Sequence, residues 1–229
     1  MSLAGAVGDD DLGADALAAL RAEGVDVASV VRLERVATGV ALIVVDRDGR
    51  NQIAVASGAN HELTAGHVRA APGGRPGCVL ASFELLDEPV LAGARAARDA
   101  GCPLVVNPAP ARPLAPALLE LHPIVTPNQL EAEELTGERD PEAAASALTA
   151  RTGAPVVITL GERGALVVDG DAAVHVPAPP VRAVDTTGAG DVFNGVLAAA
   201  LVRGEELRAA VAVAVAAAAD SVTRPGARG

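Results

Sequence analysis

Asp185-Thr186-Thr187-Gly188-Ala189-Gly190-Asp191 is the most informative segment of this 229-residue chain. Two apolar runs flank it, residues 181–184 on one side and residues 192–201 on the other. The first run predicts a strand, and the second, which is rich in alanine, predicts a helix. The glycines therefore lie where a strand turns into a helix.

The turn between these two elements is predicted to bind an anion. The first amides of a helix have no partner within the helix, and the helix dipole places positive potential at the same end. The small residues Gly188, Ala189 and Gly190 let a phosphate group approach the backbone closely. Asp191 adds a carboxylate, which repels a phosphate unless it is there to take a proton. The segment suits phosphoryl transfer, with Asp191 orienting or deprotonating the attacking hydroxyl; the alternative is that Asp191 only caps the helix.

The composition limits the class of protein and its partners. Hydrophobic residues make up 50% of the chain, enough for one α/β domain with a small appendage. The net charge of −11 argues against nucleic acid or an anionic membrane as a partner. Residues 207–219 form an apolar run that is too short to span a bilayer. Any positive potential at an anion site must therefore be local.

Several residue types are missing or rare. All 18 basic residues are arginine, which excludes a lysine-containing P-loop, Schiff-base and pyridoxal-phosphate chemistry and the protein-kinase strand lysine. Cys78 and Cys102 are expected to be buried thiols rather than a disulfide, which favours a cytoplasmic protein. The four histidines show no spacing typical of metal ligands.

The order of the elements predicts the fold class. A helix begins after Asp9–Asp11 and ends at Gly24, and residues 36–45 and 51–56 form a hairpin around a turn at 46–49. From residue 78 onward strands and helices alternate, which predicts a parallel sheet with helices on both faces. Ligands bind at the carboxyl ends of such strands. The residues predicted to lie there are Asn107, Asn128, Gly161 and Asp185.

A second candidate site follows the strand predicted at 124–126. In Thr126-Pro127-Asn128-Gln129-Leu130-Glu131, the residues Asn128 and Glu131 are three apart and share a face of the first helical turn. Beside a phosphate site, an amide and a carboxylate can hold Mg²⁺ through water. The alternative is a capping box, in which the two side chains only satisfy the first backbone amides of the helix.

These motifs together resemble those of the ribokinase family, the PfkB-type carbohydrate kinases. The segment from Asp185 through Asp191 to Gly195 is similar to the second signature of the family, and Thr126-Pro127-Asn128 with Glu131 is similar to its Asn-x-x-Glu motif. The resemblance covers most of the chain and implies a three-layer α/β/α sandwich with a mostly parallel sheet and a partial β lid. It implies a core of residues 5–35 and 61–229, a lid of residues 36–60, and a homodimer formed through the lid.

The resemblance also implies a role for further residues. Asn128, Thr159, Gly161 and Arg163 would bind ATP, although Arg163 is equally well explained as a solvated surface charge. Asn128 and Glu131 would position Mg²⁺, and Glu84 would contact the sugar beside Asp191. A loop near the end of the chain resembles one that holds an activating monovalent cation, K⁺. The residues implied at this cation site are Asp185, Thr187, Ser221, Arg224 and Gly226.

The resemblance begins only at Ala6, and the first core strand and sugar-gripping motifs of ribokinases have no counterpart in this sequence. The expected activity is an ATP-dependent sugar kinase that phosphorylates the primary hydroxyl of a pentose, D-ribose giving ribose 5-phosphate. One alternative is a shortened, catalytically impaired nucleotide-binding remnant. Another is a kinase of a different alcohol, such as a nucleoside, a keto-sugar acid or a vitamin.

Overall fold

A computed structural model describes residues 1–45, 51–71 and 74–226. The chain folds into two compact units, Met1–Gly74 with Glu84–Gly93 and Arg75–Phe83 with Ala94–Gly229. The domain assignment drawn from the sequence, in which residues 36–60 stand apart as a lid, stays a prediction. The turn predicted at 46–49 lies outside the described residues.

The first unit begins with a parallel strand pair that the sequence analysis did not predict. β1 (Ser2–Gly8) pairs with β2 (Asp26–Leu33) around helix α1 (Asp11–Ala22). The helix itself was predicted, and Asp10 caps it by accepting a hydrogen bond from the Gly13 amide at 2.8 Å. β2 was missed because its two buried positions are one apolar residue, Val27, and one polar residue, Ser29. Runs of this kind give a weak strand signal.

The hairpin of the first unit is confirmed, although its first strand is shorter than predicted. β3 (Val40–Val45) and β4 (Asn51–Ala56) pair in antiparallel register, with Val40 opposite Ala56. A short helix, α2 (Ala65–Arg69), follows. Leu42 and Val55 on the hairpin are 67% and 69% exposed, so the hairpin presents apolar side chains to solvent.

The second unit is built on a six-stranded sheet in the order β10-β9-β8-β7-β6-β5. Helix α3 (Asp87–Ala100) is shared between the two units. The elements of the second unit are β5 (Val79–Ser82), β6 (Leu104–Asn107), α4 (Pro116–Leu119), β7 (Ile124–Val125), α5 (Gln129–Thr136), α6 (Pro141–Thr152), β8 (Val156–Thr159), β9 (Ala165–Asp169), β10 (Ala172–Val176), α7 (Ala189–Val202) and α8 (Leu207–Ser221). β5 to β8 are parallel as predicted, whereas β9 and β10 are antiparallel to their neighbours.

Helices cover both faces of this sheet, which gives the predicted three layers. Val157 of β8 packs in a buried cluster with Phe193 and Leu197 of α7 and with residues of α8. Successive side chains of a strand point to opposite faces, and α5 and α6 contact β8 on the other side. Leu148 of α6 is fully buried. The described residues contain no helix that is both long enough and apolar enough to cross a membrane.

The strand predicted at residues 181–184 is wrong. Val181 and Val184 are 44% and 62% exposed, and the segment between β10 and α7 has no regular structure. The amides of Val184 and Asp185 both donate to the carbonyl of Val222, at 2.7 and 3.2 Å, instead of to a strand. Asp185 therefore follows a loop fixed to the end of α8, and it does not lie at the carboxyl end of a strand.

Candidate active site

The first turn of α7 has the geometry of an anion site. Gly188 precedes the helix with φ = +77°, a left-handed conformation that favours glycine. The amide of Ala189 donates to the Thr186 carbonyl at 3.3 Å. In the described part of the chain, no hydrogen bond uses the amides of Gly188, Gly190 or Asp191. A Cβ atom placed on Gly190 would have no neighbour within 4 Å, so the space beside the Gly190 Cα atom is open.

Asp191 is the third residue of α7. The N-cap position belongs to Gly188, so Asp191 does not cap the helix. Asp191 is an exposed residue. The protein atoms around its carboxyl group nevertheless remove part of the hydration of that group, and this desolvation raises the pKa of Asp191. No ion pair or hydrogen bond between described residues engages its carboxylate. A carboxylate with a raised pKa and free oxygens is suited to accept a proton.

Asn128 and Glu131 form the capping box that the sequence offered as an alternative. The Asn128 side chain accepts from the Glu131 amide at 2.9 Å, and Glu131 Oε2 accepts from the Asn128 amide at 2.8 Å. The box leaves Asn128 Nδ2 as a donor and Glu131 Oε1 as an acceptor. The pKa of Glu131 is raised, mainly because burial removes hydration from its carboxyl group. The hydrogen bond from the Asn128 amide opposes this shift, and the nearby charge of Glu134 adds to it. The box and a ligand-binding role are therefore compatible.

The nucleotide-binding residues predicted after β8 lie beside Asn128. Asn128 and Thr159 form a single parallel β-bridge, and the Thr159 amide donates to the Pro127 carbonyl at 3.0 Å. Gly161 has φ = +61°, and a Cβ atom there would also point into open space. Arg163 is exposed and donates to Gln129 Oε1 at 2.7 Å. The structure thus brings Thr159, Gly161 and Arg163 to the start of α5.

The predicted cation loop is partly assembled. Asp185 accepts hydrogen bonds from the amides of Thr187 and Gly226, each at 2.9 Å, and the Thr187 bonds followed by the Gly226 bond lower the pKa of Asp185. The side chains of Ser221 and Arg224 point elsewhere: Ser221 Oγ donates to the Ala218 carbonyl, and Arg224 pairs with Asp220 at 2.7 Å. Only backbone carbonyls of these two residues remain as candidate ligands. Across residues 1–45, 51–71 and 74–226, no cluster of three His, Cys, Asp or Glu side chains is arranged to hold a metal.

Sequence reasoning quoted two polar residues within the family motifs but gave them no role of their own. Thr126 and Asn194 are 1% and 4% exposed, and Thr126 Oγ1 donates to Asn194 Oδ1 at 2.6 Å. Asn194 Nδ2 in turn donates to the Gly190 carbonyl at 2.9 Å. A signal was available, because Asn194 is a lone amide in an otherwise apolar stretch of α7. Glu84 belongs to the first unit, and its predicted contact with the sugar stays a prediction.

Comparison with known proteins identifies the relatives of this chain. The model of the pfkB family of carbohydrate kinases matches residues 1–229. The ribokinase of Haemophilus influenzae is 36% identical over 229 residues, which cover 97% of this chain and 75% of that protein. The ribokinase of Bacillus subtilis is 36% identical over 229 residues, covering 99% of this chain and 76% of that protein.

A solved structure supports the same grouping. The Arabidopsis thaliana ribokinase complexed with ribose and ATP has a TM-score of 0.86 and 29% sequence identity to this chain. The match covers 99% of this chain and 77% of that protein. The chain therefore spans about three quarters of the length of these relatives.

Proposed function

Because the chain belongs to the pfkB family of carbohydrate kinases, we propose that it transfers the γ-phosphoryl group of ATP to the primary hydroxyl of D-ribose, giving ribose 5-phosphate. The observation that carries the proposal is the first turn of α7. There a partly desolvated carboxylate, Asp191, lies beside backbone amides that have no partner in the described residues. The kinase assignment follows from the family, and the choice of ribose rests on the ribokinases among its relatives.

The chain's own residues supply the two functions that the transfer needs. The Asp191 carboxylate accepts the proton of the attacking hydroxyl, whose oxygen forms a bond to the γ-phosphorus while the bond to the bridging oxygen breaks and ADP leaves. A positioned base contributes about 10²- to 10⁴-fold to such a step. The amides of Gly188, Gly190 and Asp191 donate to the oxygens of the transferring group, and one such donor is worth about 10²- to 10³-fold.

The start of α5 fits the rest of the nucleotide. Asn128 Nδ2 and Glu131 Oε1 are left over by the capping box, and they suit a phosphate oxygen and a water ligand of Mg²⁺ respectively. Mg²⁺, when bound, neutralises part of the phosphate charge. Thr159 and Gly161 approach the same edge with a hydroxyl group and an unobstructed backbone. The Glu131 carboxylate therefore suits contact with a hard divalent cation through water, as oxygen ligands do.

The loop around Asp185 fits a monovalent cation less completely. It offers one carboxylate, already bound to two amides, and the carbonyl groups of Thr187, Ser221 and Arg224. K⁺ bound there would order the backbone dipoles next to the anion site. We propose that K⁺ increases the rate by this route and is not required for ATP to bind.

Coupled measurement of ADP release tests the proposal. The purified chain is assayed with Mg²⁺ and K⁺ against D-ribose, 2-deoxyribose, fructose, adenosine and a no-acceptor control. We expect release that depends on ribose, with ribose 5-phosphate identified by mass spectrometry. Release with a different acceptor in the panel alone would replace ribose but keep the kinase. ATP binding by calorimetry without release for any acceptor would favour the impaired remnant.

We also propose that the chain dimerises through the β3–β4 hairpin. Val40 and Leu42 lie on the same face of the hairpin and are 37% and 67% exposed, and a contiguous exposed apolar patch can mark an interface. Light scattering should give a dimer for the wild type and a monomer for Leu42→Asp. Leu12→Asp changes a 56% exposed leucine of α1 and serves as the matched control, which should stay dimeric. A monomeric wild type would contradict the proposal.

A further inference from the structure

The two parts of the candidate active site come from different elements of the second unit. One part, Asn128 and Glu131, follows β7 and opens α5. The other, the amides from Gly188 to Asp191, opens α7. Reaction at a bound phosphate requires both parts to keep a fixed separation, because a misplacement of about 1 Å can cost about 100-fold in rate.

A buried hydrogen bond joins these two parts. Thr126 directly precedes Pro127 and Asn128, and its hydroxyl donates to Asn194 Oδ1 at 2.6 Å across the interior of the unit. Both side chains are nearly inaccessible, 1% exposed for Thr126 and 4% for Asn194. In such surroundings a hydrogen bond is electrostatically stronger than in water, and a fully satisfied polar network rigidifies the elements that it connects.

The contact continues from Asn194 into the anion site itself. Asn194 Nδ2 donates to the carbonyl of Gly190 at 2.9 Å. That carbonyl shares its planar peptide unit with the amide of Asp191, which is one of the donors without a partner in the part of the chain that the structure describes. Fixing the Gly190 carbonyl therefore also fixes the direction in which the Asp191 amide points.

The end of β7 is held firmly enough to serve as the anchor. The Thr126 amide donates to the Val106 carbonyl at 3.0 Å, and Asn107 Nδ2 donates to the Thr126 carbonyl at 3.1 Å. Asn194 bonds to the carbonyl four residues earlier in α7, and contacts of this kind weaken a helix slightly when serine or threonine makes them. The buried bond to Thr126 contributes stability of its own, so stability and positioning have to be measured separately.

We propose that Thr126 and Asn194 are positioning residues, which hold the first turn of α7 in register with Asn128 and Glu131 so that both bind the same nucleotide phosphates. The proposal rests on the proposed kinase function. It predicts that loss of the bond lowers kcat and weakens ATP binding without changing the KM for the acceptor, because both side chains are buried and neither is exposed to contact an acceptor.

Four variants separate positioning from a purely structural role. Thr126→Val keeps the shape but removes the hydroxyl, and Thr126→Ser keeps the hydroxyl. The double variant Thr126→Val with Asn194→Leu replaces both partners by apolar groups. Thr126→Val alone leaves the buried Asn194 Oδ1 without its donor, and the double variant can restore the stability lost in this way. Thr152→Val is the matched control, since Thr152 is also 1% exposed and its hydroxyl bonds to the backbone of Ala154 just after α6, away from the candidate site.

We expect Thr126→Val to lower kcat by about 10- to 100-fold and to weaken ATP binding measurably by calorimetry, and Thr126→Ser to retain most of both. The double variant should regain thermal stability relative to Thr126→Val, but its kcat should stay low because the Gly190 carbonyl has lost its side-chain donor. Thr152→Val should lose stability and keep kcat. All assays are run at a temperature at which circular dichroism shows each variant folded.

Several results would overturn the proposal. Wild-type kcat in Thr126→Val, or recovery of kcat together with stability in the double variant, would show that the bond is structural only. If Thr126→Val does not fold, Asn194→Ala removes the same bond. In that variant the Thr126 hydroxyl can still donate to the Val106 carbonyl, which lies 3.4 Å away. Absence of turnover in the wild type would refute the kinase function instead, and the ATP affinities of the same variants would still decide the positioning role.

Discussion

We expect Asp191→Asn to lower kcat for phosphoryl transfer by about 10²- to 10⁴-fold, the usual contribution of a positioned general base. Asparagine has nearly the same shape as aspartate, so the first turn of α7 should keep its backbone and its free amides. The amide oxygen of asparagine is a far weaker base than a carboxylate, so it cannot take the proton from the hydroxyl of the phosphoryl acceptor. ATP affinity should therefore change much less than kcat.

The pH dependence of the rate provides a second readout of the same residue. The deprotonated carboxylate is the active form, so activity is lost as the pH falls through the pKa of Asp191. Because desolvation raises that pKa, the loss should begin at a higher pH than for an ordinary aspartate. The residual activity of Asp191→Asn should lack this acid limb.

A matched control removes a carboxylate elsewhere in the same unit. Asp169→Asn changes an exposed aspartate at the far end of β9, which is antiparallel to β8 and so ends at the opposite edge of the sheet. It should leave both kcat and the pH profile unchanged. Turnover of Asp191→Asn within a few-fold of the wild type would show that Asp191 is not the base.

The second large effect concerns stability. We expect Phe193→Ala to lower the free energy of unfolding by about 3–5 kcal/mol, the range found for buried aromatic residues. Phe193 is 2% exposed and belongs to the same buried cluster as Val105, Val157 and Leu197. The chain has two phenylalanines and no tyrosine or tryptophan, and Phe193 is the aromatic residue of this cluster, so its removal takes away the cluster's bulkiest side chain. Since typical domains are stable by about 5–15 kcal/mol, the loss is a large fraction of the total.

Urea unfolding followed by circular dichroism measures this loss. Phe193→Leu keeps most of the volume and should cost less than about 1.5 kcal/mol. Val213→Ala shortens a residue of α8 that is 44% exposed, and it should change the free energy by no more than about 0.5 kcal/mol. Equal stabilities for Phe193→Ala and Val213→Ala would contradict the packing described here.

The sequence predicted best where local chemistry determines the structure. Helix α5 has the predicted bounds because Asn128 and Glu131 satisfy its first amides and Gly137, at φ = +80°, ends it. The glycine turn before α7 was also predicted from local chemistry, and Gly188 there has φ = +77°; its role as an anion site stays a prediction. The ligand-binding roles of Asn128, Thr159 and Arg163 stay predictions, although the structure brings these residues together.

Prediction failed where the hydrogen-bond partners lie far away in the chain. Val181 and Val184 resemble strand residues, but the carbonyl of Val222 takes the amides that a sheet would have used. The role of Asn194 depends on Thr126, which is 68 residues earlier in the chain. No local periodicity records such a pairing, and a single polar residue in an apolar helix can only mark the position as unusual.

The attachment of Asp185 to the end of α8 makes the glycine turn depend on the carboxyl-terminal part of the chain. The Asp185 carboxylate accepts from the Gly226 amide, 41 positions later, and the Val222 carbonyl accepts from the amides of Val184 and Asp185. A chain truncated before Val222 would lose these contacts and keep every residue of the turn itself. The conformation of the turn is therefore set by residues outside its own sequence.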